Sequence, residues 1–209
     1  MGRARSLVQI QSSRPTMAGR LEVITGCMFS GKSEELIRRV DRANIAGQTT
    51  LLFKPLLDDR YSKNAVVTHY GREFEANLLK TGEESVSTID EVAGSKKLED
   101  TDVVAFDEGN FFSENLCSLV LELLARDKRV IVAGLDLTFA GDPFHPMPSL
   151  MAEADRLNKL HAVCTECGDA ATRTQRLIDG EPAPADDQVI KVGGKGDYEA
   201  RCRDCWELG

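Results

Sequence analysis

Apolar and polar positions follow two different periods along this chain, and the switches between them mark its elements. Leu21 to Thr25 (L-E-V-I-T) is a short run rich in apolar and β-branched side chains, which predicts a buried strand. From Glu34 to Ala46 the period becomes helical. Leu36, Ile37, Val40 and Ala43 share one face, Arg38, Arg39 and Arg42 fall largely elsewhere, and Gly47 suits the stop. Thr49 to Phe53 predicts a second strand, ended by Lys54-Pro55. Val103 to Phe106 and Val130 to Ala133 are unbroken apolar runs, the second closed by Gly134, and predict two further buried strands. Between them, Leu116, Leu119, Val120, Leu123 and Leu124 give a helix a broad apolar face. Ser113 can cap that helix, with Glu114 in its first turn and Arg126 and Lys128 at its end.

A further helix is expected from about Ser149 to Leu157. Residues 63–100 carry weaker signals: Val66-Val67-Thr68 and Phe74 suggest short strands, and Ile89 to Ala93 a short helix. Strand, helix and strand in alternation predict an α/β fold, a mostly parallel sheet with helices on both faces.

The 209 residues allow one α/β domain plus a small appendage. A formal net charge of −8 means that any nucleic-acid footprint would have to be local. No stretch has the uninterrupted apolar length of a membrane span. Residues 1–19 precede the first strand. The first twenty residues carry Arg3, Arg5, Arg14 and Arg20, no acidic residue, and no apolar core of a secretory signal. The expectation is a disordered tail without chemistry, Met17 being an alternative start.

The first strand breaks into Gly26-Cys27-Met28-Phe29-Ser30-Gly31-Lys32-Ser33, which is G-x-x-x-x-G-K-S between a strand and a helix. That is the context a phosphate-binding loop requires: glycines let backbone N–H groups turn inward, and the helix start adds partial positive charge. Lys32 can reach terminal phosphates, and the Ser33 hydroxyl can hold Mg²⁺. The apolar run at residues 103–106 ends in Asp107-Glu108, which delivers a carboxylate to the same end of a parallel sheet. Adjacent residues on extended chain point to opposite sides, so one carboxylate can serve Mg²⁺ while its neighbour faces another part of the cleft. A second polar loop past a strand end, Leu57-Asp58-Asp59-Arg60-Tyr61-Ser62, lies where open α/β sheets place ligands.

The six cysteines divide unequally. Cys164-x-x-Cys167 and Cys202-x-x-Cys205, with 34 residues between the pairs, suit a closed tetrahedral zinc site that pins the ends of a long loop. A redox dithiol pair is the rival reading. Cys27 and Cys117 have no partner at such spacing, and Cys117 reads as a small core residue. Residues 161–209 hold six Lys or Arg against ten Asp or Glu, a balance that opposes phosphate-backbone binding. The expectation is that the clamped loop closes over a small molecule. Within it, Gln188 to Gly194 is an apolar run ended by glycines, suited either to an edge strand or to close approach to a planar base. Residues 135–148 (L-D-L-T-F-A-G-D-P-F-H-P-M-P) read equally as a pocket wall or lid and as a packed connection. His69, His145 and His161 stand at no metal-ligand spacing.

Together, G-C-M-F-S-G-K-S-E-E-L, D-x-R-Y-S, D-E-G-N-F-F, L-x-x-T-F…P-F, the two C-x-x-C pairs and V-G-G…Y-x-x-x-C resemble, in the same order, the thymidine kinases of the cellular, zinc-containing type (type II). The resemblance covers about residues 20–206. It implies a RecA-like phosphate-loop kinase domain over 20–160 and a zinc-clamped "lasso" domain over 161–209. The implied reaction moves the γ-phosphoryl group of ATP to the 5′-hydroxyl of thymidine or deoxyuridine. The family further implies a cytoplasmic homotetramer under dTTP feedback, serving nucleotide salvage for DNA synthesis, with no nucleic-acid or membrane partner.

Carried over by position, Gly26, Cys27, Met28, Phe29, Ser30, Gly31, Lys32 and Ser33 would hold ATP, with Asp58, Arg60, Asp107, Glu108, Gly109 and Asn110 near its phosphates. Ser33 and Asp107 would hold Mg²⁺, and Cys164, Cys167, Cys202 and Cys205 the structural Zn²⁺. Glu108 would accept the hydroxyl proton, with Lys32 and Arg60 at the transferring group. Met28, Phe111, Leu135, Phe139 and Phe144 would line the thymine pocket, and Val189, Ile190, Lys191, Val192, Gly193 and Tyr198 would cover the base. Asn110 stands where Gln is common in the family, and His145 where Gly is common. The rival functions are a phosphate-loop ATPase whose zinc module engages nucleic acid, and a non-catalytic nucleotide switch.

Overall fold

The computed structural model describes residues 19–56, 65–67, 73–94, 97–189 and 197–209. Residues 1–18 of the N-terminal tail, Asp58, Arg60, His69, and Ile190 to Gly193 of the lasso segment lie outside the described residues. The central element is a six-stranded sheet in the order β5-β2-β6-β7-β1-β8, every neighbouring pair of which is parallel. Its strands are β1 (Arg20–Thr25), β2 (Thr50–Leu56), β5 (Asn77–Lys80), β6 (Val103–Phe106), β7 (Arg129–Gly134) and β8 (Arg156–Lys159). A short antiparallel hairpin of β3 (Ala65–Val67) and β4 (Glu73–Glu75) lies between β2 and β5 in sequence.

Period-two alternation sends the sheet's side chains into two cores. Val23, Phe53, Val104, Phe106, Val130 and Val132 face one side, where they meet Ile89 of α2 (Val86–Ala93). Leu116, Leu119, Val120 and Leu123 of α3 (Asn115–Ala125) and Leu150 of α4 (Met147–Glu153) join the same cluster. Ile24, Leu52, Ala105, Ile131 and Ala133 face the other side and meet Leu36, Ile37, Val40 and Ala43 of α1 (Lys32–Ile45). The expected α/β architecture, with helices on both faces of a parallel sheet, is therefore present.

Several boundaries differ from expectation for physical reasons. β2 continues through Pro55 to Leu56 rather than ending there. Beyond Phe53 its partner β6 has run out and only β5 pairs with it, so a residue lacking an N–H is tolerated. The helix expected over residues 149–157 runs over Met147–Glu153, and Leu157 belongs to β8. β8 is an edge strand whose side chains are mostly exposed, so it leaves no apolar run to read. The start of α3 is shifted by one residue, so that Glu114 takes the cap position, although Ser113 Oγ still accepts from the Asn115 N–H at 3.2 Å. Ser113 in turn donates to Glu84 Oε2 at 2.6 Å, which ties the starts of α2 and α3 together.

Arg39 departs most from its expected place. It is buried, 4% exposed, on the sheet side of α1. Its guanidinium donates to Glu22 Oε2 (2.8 Å), Glu35 Oε1 (2.8 Å) and Asn158 Oδ1 (2.9 Å), and Glu22 also accepts from Arg129 Nε at 2.7 Å. A buried carboxylate is tolerable only when so enclosed by positive donors. Burial pushes the Glu22 carboxyl up, but the hydrogen bond from Arg129 and the charges of Arg129, Arg39 and Arg20 prevail and hold it below its ordinary range.

The C-terminal part consists of small antiparallel sheets: β9 (Ala162–Val163) with β10 (Ala170–Ala171), and β11 (Arg173–Ile178) between β12 (Glu181–Pro182) and β13 (Tyr198–Arg201). So little sheet buries only a small apolar cluster, built around Cys27, Cys164, Ala171, Ala200 and Cys202.

Candidate active site

The loops leaving β1 and β6 meet at the carboxyl end of the sheet. Gly26 turns the chain out of β1 with φ 141°, and a Cβ there would stand 2.3 Å from the Leu160 carbonyl oxygen. Only glycine fits. Within the loop, Ser30 Oγ donates to the Cys27 carbonyl at 2.8 Å, and Lys32 Nζ donates to the same oxygen at 2.7 Å. α1 begins at Lys32, two residues earlier than expected, so the helix start lies inside the motif. Its first N–H groups have no intrahelical partner and belong to the loop, which is what an anion cradle needs. Burial pulls the Lys32 ammonium below its ordinary pKa, opposed by the nearby Cys27, Asp107, Asp136 and Glu108.

Ser33 Oγ donates to the Asp107 carboxylate, at 2.9 Å to Oδ2 and 3.2 Å to Oδ1. The phosphate loop and the β6 carboxylate, 74 positions apart, are thus in direct contact. A hydroxyl and a carboxylate converging in this way form the hard-oxygen set that suits Mg²⁺. Burial raises the Asp107 carboxyl above its usual range, and the Ser33 hydrogen bond works against that rise.

Glu108 takes a different course from its neighbour. Its backbone is left-handed (φ 52°, ψ 41°), an uncommon conformation for a non-glycine residue, and it turns the chain into a 3₁₀ turn at Gly109–Phe111. The residue is exposed at the surface, although much protein stands around its carboxyl. The desolvation that this surrounding mass imposes, then the like charge of Asp107, lifts the carboxyl to about 7 against the pull of Lys54 and Lys32. One residue holds its carboxylate against Ser33; the next leaves its own exposed.

The turn that carries Glu108 is tightly seated. A Cβ on Gly109 would lie 2.7 Å from Val132 Cγ1 and 3.0 Å from Met147 Sδ. Asn110 is buried, and its Oδ1 accepts from the Leu135 N–H at 2.9 Å, which binds this turn to the end of β7. Its Nδ2 is buried without a partner among the described residues.

The aromatic residues expected around an acceptor are distributed over two groups. Phe111 and Phe144 make an edge-to-face pair with centroids 5.7 Å apart. Phe139 and Tyr198 flank the guanidinium of Arg176, at 5.0 and 5.9 Å. Residues 135–148 form a packed connection: Thr138 N donates to the Asp142 carbonyl at 2.8 Å, and Phe144 N to the Asp136 carbonyl at 3.0 Å. His145, whose Nδ1 is 3.2 Å from Glu114 Oε1, sits on the exposed outside of that connection.

Two residues, Thr174 and Arg176, were not singled out from sequence, and Cys27 has a contact that the sequence did not show. Thr174 Oγ1 accepts from the Met28 N–H at 3.1 Å, so the phosphate loop docks on β11. Cys27 Sγ donates to the Ala171 carbonyl at 3.3 Å beside it. Arg176 is 2% exposed, paired to Asp187 Oδ2 at 2.8 Å and hydrogen-bonded to the Gln188 carbonyl, and so anchors the segment entering the lasso. Its strand has no alternation to reveal it, because Thr174, Gln175 and Arg176 are all buried.

The four cysteines of the two C-x-x-C pairs come together, with their sulfurs all within 4.8 Å of one another and Cys167 and Cys202 3.7 Å apart. Tetrahedral zinc with Zn–S bonds near 2.3 Å needs sulfurs roughly 3.8 Å apart, so the set fits that ion. Cys27 packs against this cluster without joining it.

A family model described as thymidine kinase matches residues 19–206. The chain belongs to the thymidine kinase family. A thymidine kinase of Coprothermobacter proteolyticus is 53% identical over 187 residues, covering 90% of both chains. One from Halobacterium salinarum is 47% identical over 190 residues, covering 91% of this chain and 95% of its own. One from Haloquadratum walsbyi is 46% identical over 216 aligned positions, with 91% and 96% covered. Among the described residues no helix is long and apolar enough to cross a membrane.

Proposed function

We propose that this chain is an ATP-dependent thymidine kinase, transferring the γ-phosphoryl group of ATP to the 5′-hydroxyl of thymidine or deoxyuridine. The observation that carries this reading is the divergence of Asp107 and Glu108 beside the phosphate loop. An ATPase needs the first carboxylate; an exposed carboxyl raised to about 7, on a left-handed backbone that parts it from its neighbour's course, suits the task of accepting a proton from a substrate hydroxyl.

Phosphoryl transfer proceeds through a loose transition state, so positioning and charge neutralisation supply most of the rate. Gly26 to Ser33 hold the donor phosphates, and Lys32 exchanges its contact with the Cys27 carbonyl for phosphate oxygens. Ser33 and Asp107 provide the oxygens for Mg²⁺, which when bound neutralises charge on the transferring group. Glu108 orients the nucleoside hydroxyl and accepts its proton as the new P–O bond forms. Arg60 and Asp58, from the loop after β2, complete the donor side in this reading, with Gly109 and Asn110 shaping the turn. Met28, Phe111, Leu135, Phe139 and Phe144 receive the base and its 5-methyl group. The segment Val189, Ile190, Lys191, Val192, Gly193 and Tyr198 offers backbone groups to its polar edge. Cytosine has a donor where thymine has O4, and would leave such buried groups unpaired.

Residues 20–160 are read as the kinase unit, 161–209 as the lasso unit held by Zn²⁺ on Cys164, Cys167, Cys202 and Cys205, and 1–19 as a tail. The reading extends to a cytoplasmic homotetramer inhibited by dTTP, without nucleic-acid partners, as the family resemblance implies. The test is ADP release from ATP with thymidine, deoxyuridine, uridine, cytidine or DNA added singly. Thymidine-dependent release with thymidine 5′-phosphate as product is expected. Release stimulated by DNA alone, or by no nucleoside, would overturn the proposal.

A further inference from the structure

The opposite end of the sheet carries a second concentration of charge. A groove of about 480 Å³ is bounded by Arg20, Arg38, Arg39, Arg42, Arg129 and Arg156, with Glu22 and Asp155 as its only acidic lining residues. These arginines come from the amino-terminal starts of β1, β7 and β8 and from α1, whereas the phosphate loop lies at the strands' carboxyl ends. In a chain of net charge −8 this is a local reversal of sign.

The acids in and beside the groove are already engaged. Glu22 is held by Arg39 and Arg129. Asp155 Oδ2 accepts from the Leu21 N–H at 2.7 Å. Glu35, just outside, takes both Arg38 and Arg39. Six guanidinium groups against three carboxylates leave an excess of three positive charges. Arg42 and Arg156 are exposed and have no carboxylate partner among the described residues. Arg20 Nε is buried without a hydrogen-bond acceptor, with Glu22 Oε1 3.4 Å away.

A volume of this size accommodates a small ligand. Guanidinium forks of fixed direction recognise phosphate oxygens, often by paired hydrogen bonds, and three surplus charges match a multivalent anion. The buried Glu22–Arg39–Arg129 core holds the inner guanidinium groups rigid, so the free ones stand on a preorganised floor. We infer that this arginine groove is a second phosphate site, binding a di- or triphosphate group away from the phosphate loop. The shared chemistry is that of inorganic polyphosphate and of a nucleotide's phosphate tail.

The test is calorimetric titration of inorganic triphosphate, without Mg²⁺, into the full chain carrying Lys32→Ala, which disables the phosphate loop. One saturable, salt-sensitive site per chain is expected, with affinity falling from triphosphate to pyrophosphate to phosphate. Adding Arg42→Ala and Arg156→Ala should weaken it at least about tenfold, since two charge-assisted contacts are lost. The same pair in an otherwise unchanged chain should leave thymidine turnover intact, which shows that the fold survives. No saturable binding in the Lys32→Ala chain, or equal affinity with and without Arg42 and Arg156, would overturn the proposal. ATP binding there within about threefold of triphosphate supports recognition of the phosphates alone; a base contribution beyond tenfold overturns it. A change in sedimentation mass caused by the arginine pair, with no triphosphate binding, would instead mark a contact between copies.

Discussion

The two ends of the chain solve the problem of positioning a functional loop in opposite ways. The phosphate loop rests on a parallel sheet with an apolar core on each face, and its residues are consecutive in sequence. The C-terminal lobe has strands of two to six residues and a small apolar cluster, and its framework depends on four sulfurs from two distant pairs. Hydrophobic burial at about 25 cal/mol per Å² can fix the first. In the second the proposed zinc would supplement it, worth on the order of 10 kcal/mol in small sites. Stability should accordingly be divided along the chain.

That contrast can be broken most severely at a sulfur. Cys202→Ser should abolish zinc binding, measured as metal content per chain. Hydrogen exchange should then lose protection over 162–178 and 197–205 while residues 129–134 of β7 remain protected. Uniform loss of protection across both regions would show one cooperative unit instead of two.

The next effect lies in the sheet-borne site. Glu108→Gln should lower kcat by about 10²- to 10⁴-fold while ATP and thymidine still bind in titrations. Glu108 also sets a pH dependence. With its carboxyl raised to about 7, the acceptor form is lost as pH falls through 7, so kcat/KM should fall there and the Gln variant should lack that limb. The stability sign is the reverse. A carboxyl raised on folding favours the folded state fully below its unfolded pKa, and that advantage is lost as pH rises through 7. The Gln variant should thus gain in Tm relative to the parent as pH rises from 4.5 to 8.

A smaller effect is expected inside the C-terminal lobe. Arg176→Met would leave Asp187 without its partner and remove the cation between Phe139 and Tyr198. A loss of about 2–3 kcal/mol is expected, reduced from that of a fully buried pair because Asp187 is partly exposed. The KM for thymidine should rise more than kcat falls. Smallest is Gly109→Ala, where the new Cβ must displace Val132 and Met147, at a cost of about 1–3 kcal/mol read as a shift in denaturation midpoint.

The same contrast explains what could be read from sequence. The strands β1, β6 and β7 were legible because burial on both faces writes unbroken apolar runs, and the phosphate loop because its residues are contiguous. β5 and β8 were not, since edge strands need apolar residues on little of their surface. Arg39 gave no warning because a helix pattern treats every arginine as solvent-facing; only the facing Glu22, seventeen positions earlier, explains its burial. The cysteine spacing identified the four-sulfur cluster, but not that Thr174 would receive the phosphate loop. That contact joins residues 146 positions apart, and neither Met28 nor Thr174 carries a local sign of it.

The Met28–Thr174 bond, with Cys27 packed beside the sulfur cluster, has a consequence for how such a chain can change. One wall of the proposed nucleotide cradle is owned by the lobe that, in the same proposal, chooses the acceptor. Grafting a foreign C-terminal lobe after Leu160 would therefore perturb donor affinity as well as acceptor choice. The two halves are constrained to vary together, and shuffling them as separate cassettes would be penalised at a single backbone N–H.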